Sequence, residues 1–147
     1  MRFFDASALA KRYIRAEGTS DVNRWLRESR PATCRLTEAE LSSAFARRVR
    51  EGTMSAAARV AALGRMHDDL SKIQVVELVS VVVSRVHDLL ARYPLRAADS
   101  LQLAAALSLG HGLGRPIEFV VYDERLADAA RAEQLRVLPG PVSRSRR

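Results

Sequence analysis

Cysteine is almost absent from this chain: Cys34 is the only one in 147 residues. An intrachain disulfide is therefore impossible, and so is a zinc site built on cysteines. Histidine is scarce too, and His67, His87 and His111 stand at no metal-ligand spacing, which leaves them surface or boundary roles. The apolar stretches are too short to span a bilayer, so no membrane association is expected. Met1 leads straight into Arg2-Phe3-Phe4-Asp5, with no charged start, long apolar run or small-residue cleavage site. The expected setting is a reducing cytoplasm. The run Gly110 to Gly114 lacks the Gly-Lys-Ser/Thr ending of a phosphate loop and follows a helix rather than a strand, so it reads as a loop that stops that helix.

What is present is an ordinary apolar content, 48%, on a chain of single-domain length. The charge is less ordinary. Lys and Arg total 24 against 17 Asp and Glu, for a net +7 at pH 7. Such a balance favours a polyanionic partner such as nucleic acid, although surplus arginine also serves solubility or a protein partner.

Periodicity orders the chain into alternating short strands and helices. Phe3-Phe4 reads as a buried first strand, and 6–15 as a helix with Leu9 and Tyr13, Ala10 and Ile14 at helical spacing. Val22, Trp25 and Leu26 mark a second helix, and Pro31 to Arg35 holds a second strand. A third helix begins at Thr37 with Leu41, Phe45 and Val49 on one face, and a fourth runs from Ser55 to about Ser71. Ile73 to Val76 is a strand, followed by a helix over about 80–92, whose Val81 to Val83 segment equally suits an extended strand. Residues 96–109 form a helix apolar almost all round, hence buried. The strand Glu118 to Tyr122, a helix from Asp123 and a closing strand Leu135 to Leu138 complete the order. This implies an α/β layer fold with a mainly parallel central sheet flanked by helices, one domain over 1–140 and a basic tail over 141–147. The tail, with Arg144, Arg146 and Arg147, is either a solvated end or an RNA-contacting arm.

Four acids stand out by position. Asp5 and Asp123 each follow an apolar strand and precede a helix, which in a parallel sheet is the carboxyl edge where ligands bind. Asp99 lies in the first turn of the apolar helix, and Glu40 in the first turn of the third. Each has a plainer reading. Asp5 and Asp123 are natural helix caps, Asp99 complements a helix dipole, and Thr37 with Glu40 forms a capping box. Two arguments favour chemistry. A charge at the mouth of so apolar a helix needs a partner, and several carboxylates on one edge repel unless a cation joins them. A hard divalent ion, magnesium or manganese, suits an all-oxygen donor set.

The motifs carrying these acids resemble a known family. Phe-Asp-Ala-Ser-Ala-Leu-Ala-Lys-Arg-Tyr at 4–13, Thr-Glu-Ala-Glu-Leu at 37–41, Leu-Arg-Ala-Ala-Asp-Ser-Leu-Gln-Leu-Ala at 95–104 and Tyr-Asp-Glu-Arg-Leu-Ala-Asp-Ala-Ala at 122–130 are similar, in order and spacing, to those of PIN domains. Within that family the likeness is greatest to VapC-type toxins of bacterial toxin–antitoxin pairs. The resemblance implies a Mg2+- or Mn2+-dependent endoribonuclease that hydrolyses phosphodiester bonds in RNA. It makes Asp5, Glu40, Asp99 and Asp123 the catalytic metal-binding acids, with Ser7 supporting the site. It also implies inhibition by a VapB-type antitoxin and a homodimer. Family members often carry Ser, Thr or Asn two residues before the last acid, and Val121 stands there instead.

Arg96, one turn before Asp99, is placed to hold a phosphate, and Lys11, Arg12, Arg15, Arg47 and Arg48 are candidates for tracking an RNA backbone or for a solvated basic face. A phosphatase using an aspartate after its first strand needs a second aspartate where Ser7 stands. A phospho-receiver domain needs an acidic pair where the chain supplies only Asp5. The competing function from another class is a catalytically silent PIN-fold module that binds RNA or protein. A nuclease acting on DNA is a further alternative, since nothing in the sequence reads a 2′-hydroxyl.

Overall fold

In the computed structural model, residues 1–140 are described. The basic tail expected over 141–147 lies outside the described residues. The elements run β1 (Arg2–Phe4), α1 (Ala6–Tyr13), α2 (Thr19–Glu28), β2 (Pro31–Cys34), α3 (Leu36–Arg50), α4 (Ala56–Leu70), β3 (Gln74–Val76), α5 (Ser80–Val83), α6 (Val86–Arg92), α7 (Ala97–Leu113), β4 (Glu118–Val120), α8 (Glu124–Ala132) and β5 (Arg136–Leu138). The strands pair in the order β3-β2-β1-β4-β5, every neighbour parallel, as the alternation of strands and helices predicts.

Strand alternation builds two cores from adjacent residues. Phe3 faces one side of β1 and stacks on Phe119 of β4, ring centroids 5.6 Å apart, in a cluster with Leu103, Ala106 and Leu126. Phe4 faces the other side and packs with Leu9, Trp25, Leu41, Phe45 and Val120. Burial of each phenylalanine contributes about 2–3 kcal/mol. β1 is thus sealed on both faces, and its carboxyl end leads directly into Asp5.

The chain leaves β1 for β2 on one side and later returns to β4 on the other. The crevice at such a reversal of strand order is where parallel sheets bind ligands. Asp5 closes β1 there and caps α1, its Oδ1 accepting from the Ala8 N–H at 2.9 Å. Asp123 caps α8 in the same way, accepting from the Leu126 N–H at 2.9 Å. Gly18, at φ +87, lies under the Tyr122 ring, and an added Cβ would sit 2.4 Å from Tyr122 Oη, so this approach requires glycine. It ties the α1–α2 turn to the segment that delivers Asp123.

Three local expectations are corrected. The span 80–92 is two helices: the β-branched run Val81 to Val83 sustains a single turn, and the chain turns again before Leu89 is buried. α7 continues through Gly110 and Gly112, which keep ordinary φ values, and stops at Gly114, φ +61. The capping box at Thr37 and Glu40 does not form. Arg35 is already helical at φ −54, ψ −33 and α3 starts at Leu36, so the Thr37 hydroxyl points into the core.

Candidate active site

Asp5 is the one buried carboxylate among the described residues, 3% exposed. Ser7 Oγ donates to it, 2.7 Å from Oδ1 and 2.9 Å from Oδ2, and accepts from the Tyr122 N–H at 3.0 Å. Ser7 therefore joins the end of β1 to the segment leaving β4, across the crevice. Burial pushes the Asp5 carboxyl up to about 7, against the hydrogen bonds from Ser7 and Ala8, and the charge of Glu40 adds to the rise.

The other acids follow in a row. Burial raises Glu40, with the charge of Asp99 adding to it, while Gln102 Nε2, donating at 2.7 Å to Oε2, opposes the rise. Burial raises Asp99 too, helped by the charge of Asp123 and opposed by the Arg96 backbone and guanidinium. Asp123 is exposed at the outer end. Glu40, Asp99 and Asp123 line one cleft of about 450 Å3 with Arg96 and Arg125. Glu40 also borders a second cleft of about 500 Å3 with Ser7 and Arg47, between α1 and α3.

The topology thus brings all four acids to one edge, each within electrostatic reach of the next. None of them has an ion pair with a lysine or arginine among the described residues. Their side chains do not gather at a single point: among the described residues no three His, Cys, Asp or Glu groups are close enough to hold an ion as they stand. Local bonds explain the spread. Ser7 and Ala8 hold Asp5 inward, Gln102 holds Glu40, and Asp123 turns to cap its own helix. The donor chemistry, carboxylate oxygens on a half-buried edge, suits a hard divalent ion.

The basic candidates divide. Arg96 lines the acidic cleft as its sequence position predicts, and Arg47 lines the adjoining one. Arg15 is exposed on a separate cleft around the α1–α2 turn. Arg48 is half-buried and lines neither acidic-edge cleft. Lys11 donates to the Glu17 carbonyl at 2.8 Å and lies 4.2 Å above the Tyr122 ring, so its ammonium already has partners. Arg12 has partners within the fold: its Nη2 donates to Asp69 Oδ1 at 2.9 Å and its Nη1 to Asn23 at 3.0 Å, which ties α1 to α2 and α4. Val121 is 2% exposed and packed in the core, so it offers the edge nothing. The three histidines are exposed.

Arg125, on the rim of the acidic cleft, and Gln102, behind Glu40, were missed in the sequence. Both lie inside the motif blocks around Asp123 and Asp99, and that proximity was the available signal.

A family profile described as PIN domain matches residues 2–132. Among solved structures, the fold is similar to the VapC20 toxin of Mycobacterium tuberculosis, described as cleaving the sarcin-ricin loop, at TM-score 0.65 and 16% identity over 88% of this chain and 95% of that one. It is similar to VapBC2 of Rickettsia felis, solved with a promoter DNA fragment, at TM-score 0.65 and 10% identity over 93% and 97%. FitAcB of Neisseria gonorrhoeae aligns at TM-score 0.65 and 15% identity over 93% and 96%. Identities this low speak for the fold. No curated protein sequence matches the chain.

Proposed function

This chain belongs to the PIN-domain family, and we propose that it is a divalent-metal-dependent endoribonuclease that hydrolyses phosphodiester bonds in RNA. The observation that carries the reading is the row Asp5, Glu40, Asp99 and Asp123 at the carboxyl edge of the sheet, without an ion pair to a lysine or arginine among the described residues. Asp5, Glu40, Asp99 and Asp123 would hold Mg2+ or Mn2+, which when bound supplies Lewis acidity: activation of water and neutralisation of charge on the phosphate. Ser7 keeps Asp5 aimed at the crevice. Arg96 and Arg125, on the rim, hold phosphate groups of the substrate strand, and Arg47 receives the strand where it leaves along the second cleft. No side chain serves as nucleophile in this reading; Cys34, at the end of β2, is buried in the core.

We further propose that the chain is the toxin of a toxin–antitoxin pair in the cytoplasm, restrained by a VapB-type antitoxin. Support comes from the structural likeness to a toxin–antitoxin complex of Klebsiella pneumoniae, at TM-score 0.60 and 16% identity over 85% of this chain and 88% of that one. A homodimer is proposed as well, and the apolar surface at Val79, Val81, Val83 and Leu90, between 40% and 65% exposed, supports it.

The test is cleavage of a mixed RNA pool by the purified chain with Mg2+ or Mn2+, with EDTA, and with Asp99→Ala. The expected outcome is cutting that both EDTA and the substitution abolish. The unconverged acids favour one second reading, a silent PIN-fold module that binds RNA or protein without cleaving. RNA binding with no cutting and no metal uptake by calorimetry would establish that reading instead.

A further inference from the structure

Behind Glu40 a line of polar groups runs through the core. Gln102, Thr37 and Thr33 are at most 1% exposed. Their contacts admit one arrangement of protons. The Phe4 carbonyl can only accept, so the Thr33 hydroxyl, 2.7 Å away, gives it its single proton. The contact of 2.8 Å between the Thr33 and Thr37 hydroxyls must then carry the Thr37 proton. With that proton spent, Thr37 Oγ1 accepts from Gln102 Nε2 at 2.9 Å. The second proton on the same nitrogen goes to Glu40 Oε2 at 2.7 Å.

The order also fixes which way the amide faces. Turned around, Gln102 would set its oxygen against a hydroxyl lone pair and a carboxylate at once. As it stands, both N–H groups are used and Gln102 Oε1 is left buried with no partner. A buried oxygen without a donor is unfavourable. The arrangement therefore favours donation to Glu40 over full satisfaction of the amide.

We propose that Gln102 is the positioning residue for Glu40. It anchors Oε2 through Thr37 and Thr33 to the Phe4 carbonyl, the peptide that leads directly into Asp5. An acid on α3 and an acid at the end of β1 are thereby held at a set spacing through α7 and β2. The inference rests on the metal-binding reading above, and its subject is the chain's own Gln102 rather than the acids.

The test is calorimetric titration of Mn2+ into the full chain, in wild type, Gln102→Met, Glu40→Ala and the double variant. Methionine is unbranched and close in volume, so it keeps the packing while removing both donors. We expect about tenfold weaker binding in Gln102→Met, the scale of lost outer-shell support. The double variant should bind no more weakly than Glu40→Ala alone. Unchanged affinity in Gln102→Met overturns the proposal, and so does an equal loss with and without Glu40, since a merely structural role acts regardless of that acid. A wild type that takes up no Mn2+ overturns the metal reading, and this proposal with it. One measurement needs no variant: the Gln102 side-chain amide resonances of the wild type should shift on adding Mg2+, and resonances that stay in place while the ion binds overturn the assignment.

Discussion

The two ends of α1 hold aspartates in opposite circumstances. At the N-terminus Asp5 is 3% exposed and has a serine hydroxyl and a backbone N–H for company. At the last turn Asp69, reaching in from α4 with a side chain 15% exposed, meets the Arg12 guanidinium and the Tyr13 hydroxyl. Burial pushes both carboxyls up. At Asp5 it prevails and the group sits at about 7. At Asp69 the hydrogen bonds from Arg12 and Tyr13, with the guanidinium charge, outweigh it and hold the group below the ordinary carboxylate range. Cations are not in short supply, with 24 Lys and Arg in the chain. Among the described residues the fold gives an ion pair to Asp69 and none to Asp5, Glu40, Asp99 or Asp123. A shielded carboxylate without a cation is a standing cost in the apo protein, and on the proposed reading a divalent ion relieves it.

The swap that breaks this contrast most sharply is Asp5→Asn. Asparagine keeps the shape and the cap acceptor but removes the charge. Cleavage should fall by at least about 100-fold, beyond the 10- to 100-fold typical of losing a supporting partner. The metal-free protein should at the same time melt higher at pH 8, by on the order of 3–8 °C, because an unpaired buried charge is gone. Nuclease assays and metal-free thermal melts check the two halves. A variant that loses both activity and stability would show that Asp5 is held for the fold.

The same contrast marks what the sequence could and could not convey. Asp5 and Asp123 are legible as helix caps and by their place at the sheet edge, because both depend only on the strand-to-helix step at that residue. The parallel sheet is legible because Phe3-Phe4 and Phe119-Val120 need burial on both faces. The core role of Thr37, the place of Gln102 and the ion pair of Arg12 are not legible, for one physical reason. Thr37 looks like a cap until its partner 65 positions away is in place, and Gln102 is invisible until then. Arg12 looks like a free cation until Asp69, 57 positions away, takes its fork. Local rules reach about one helical turn, and these roles are set by packing between elements.

Titration separates the two ends of α1 by a smaller margin. Asp5 has a folded pKa of about 7, above its unfolded value, so between pH 4 and pH 7 the folded state binds more protons than the unfolded state. Stability from this group is present at low pH and is lost as pH rises through that window. Glu40 and Asp99 are raised as well and act with the same sign. Metal-free protein should therefore melt lower at pH 8 than at pH 5.5, by about 2–4 °C. Saturating Mg2+ should flatten the slope, since the ion replaces the proton as the neutralising partner. A melting temperature that does not depend on pH without metal would remove the electrostatic argument for the site.

The smallest effect is expected at the other end of the helix, from Arg12→Ala. Asp69 has a lowered folded pKa, so its contribution is present above the unfolded value near 3.8 and is lost only as pH falls through the lower folded value. At neutral pH, removing Arg12 takes away a partly exposed pair and leaves Asp69 with the Tyr13 hydroxyl, at a cost of about 1 kcal/mol, discounted for solvent screening. Denaturant unfolding at pH 7 should show that loss, and unfolding at pH 2.5 should show less of it. Cleavage should stay at the wild-type level, because Arg12 faces α4 and the α2 turn rather than either cleft beside Glu40. A loss of RNA affinity with stability unchanged would return Arg12 to the substrate track and place the charge at this end of α1, like the acids at the other, in the service of binding.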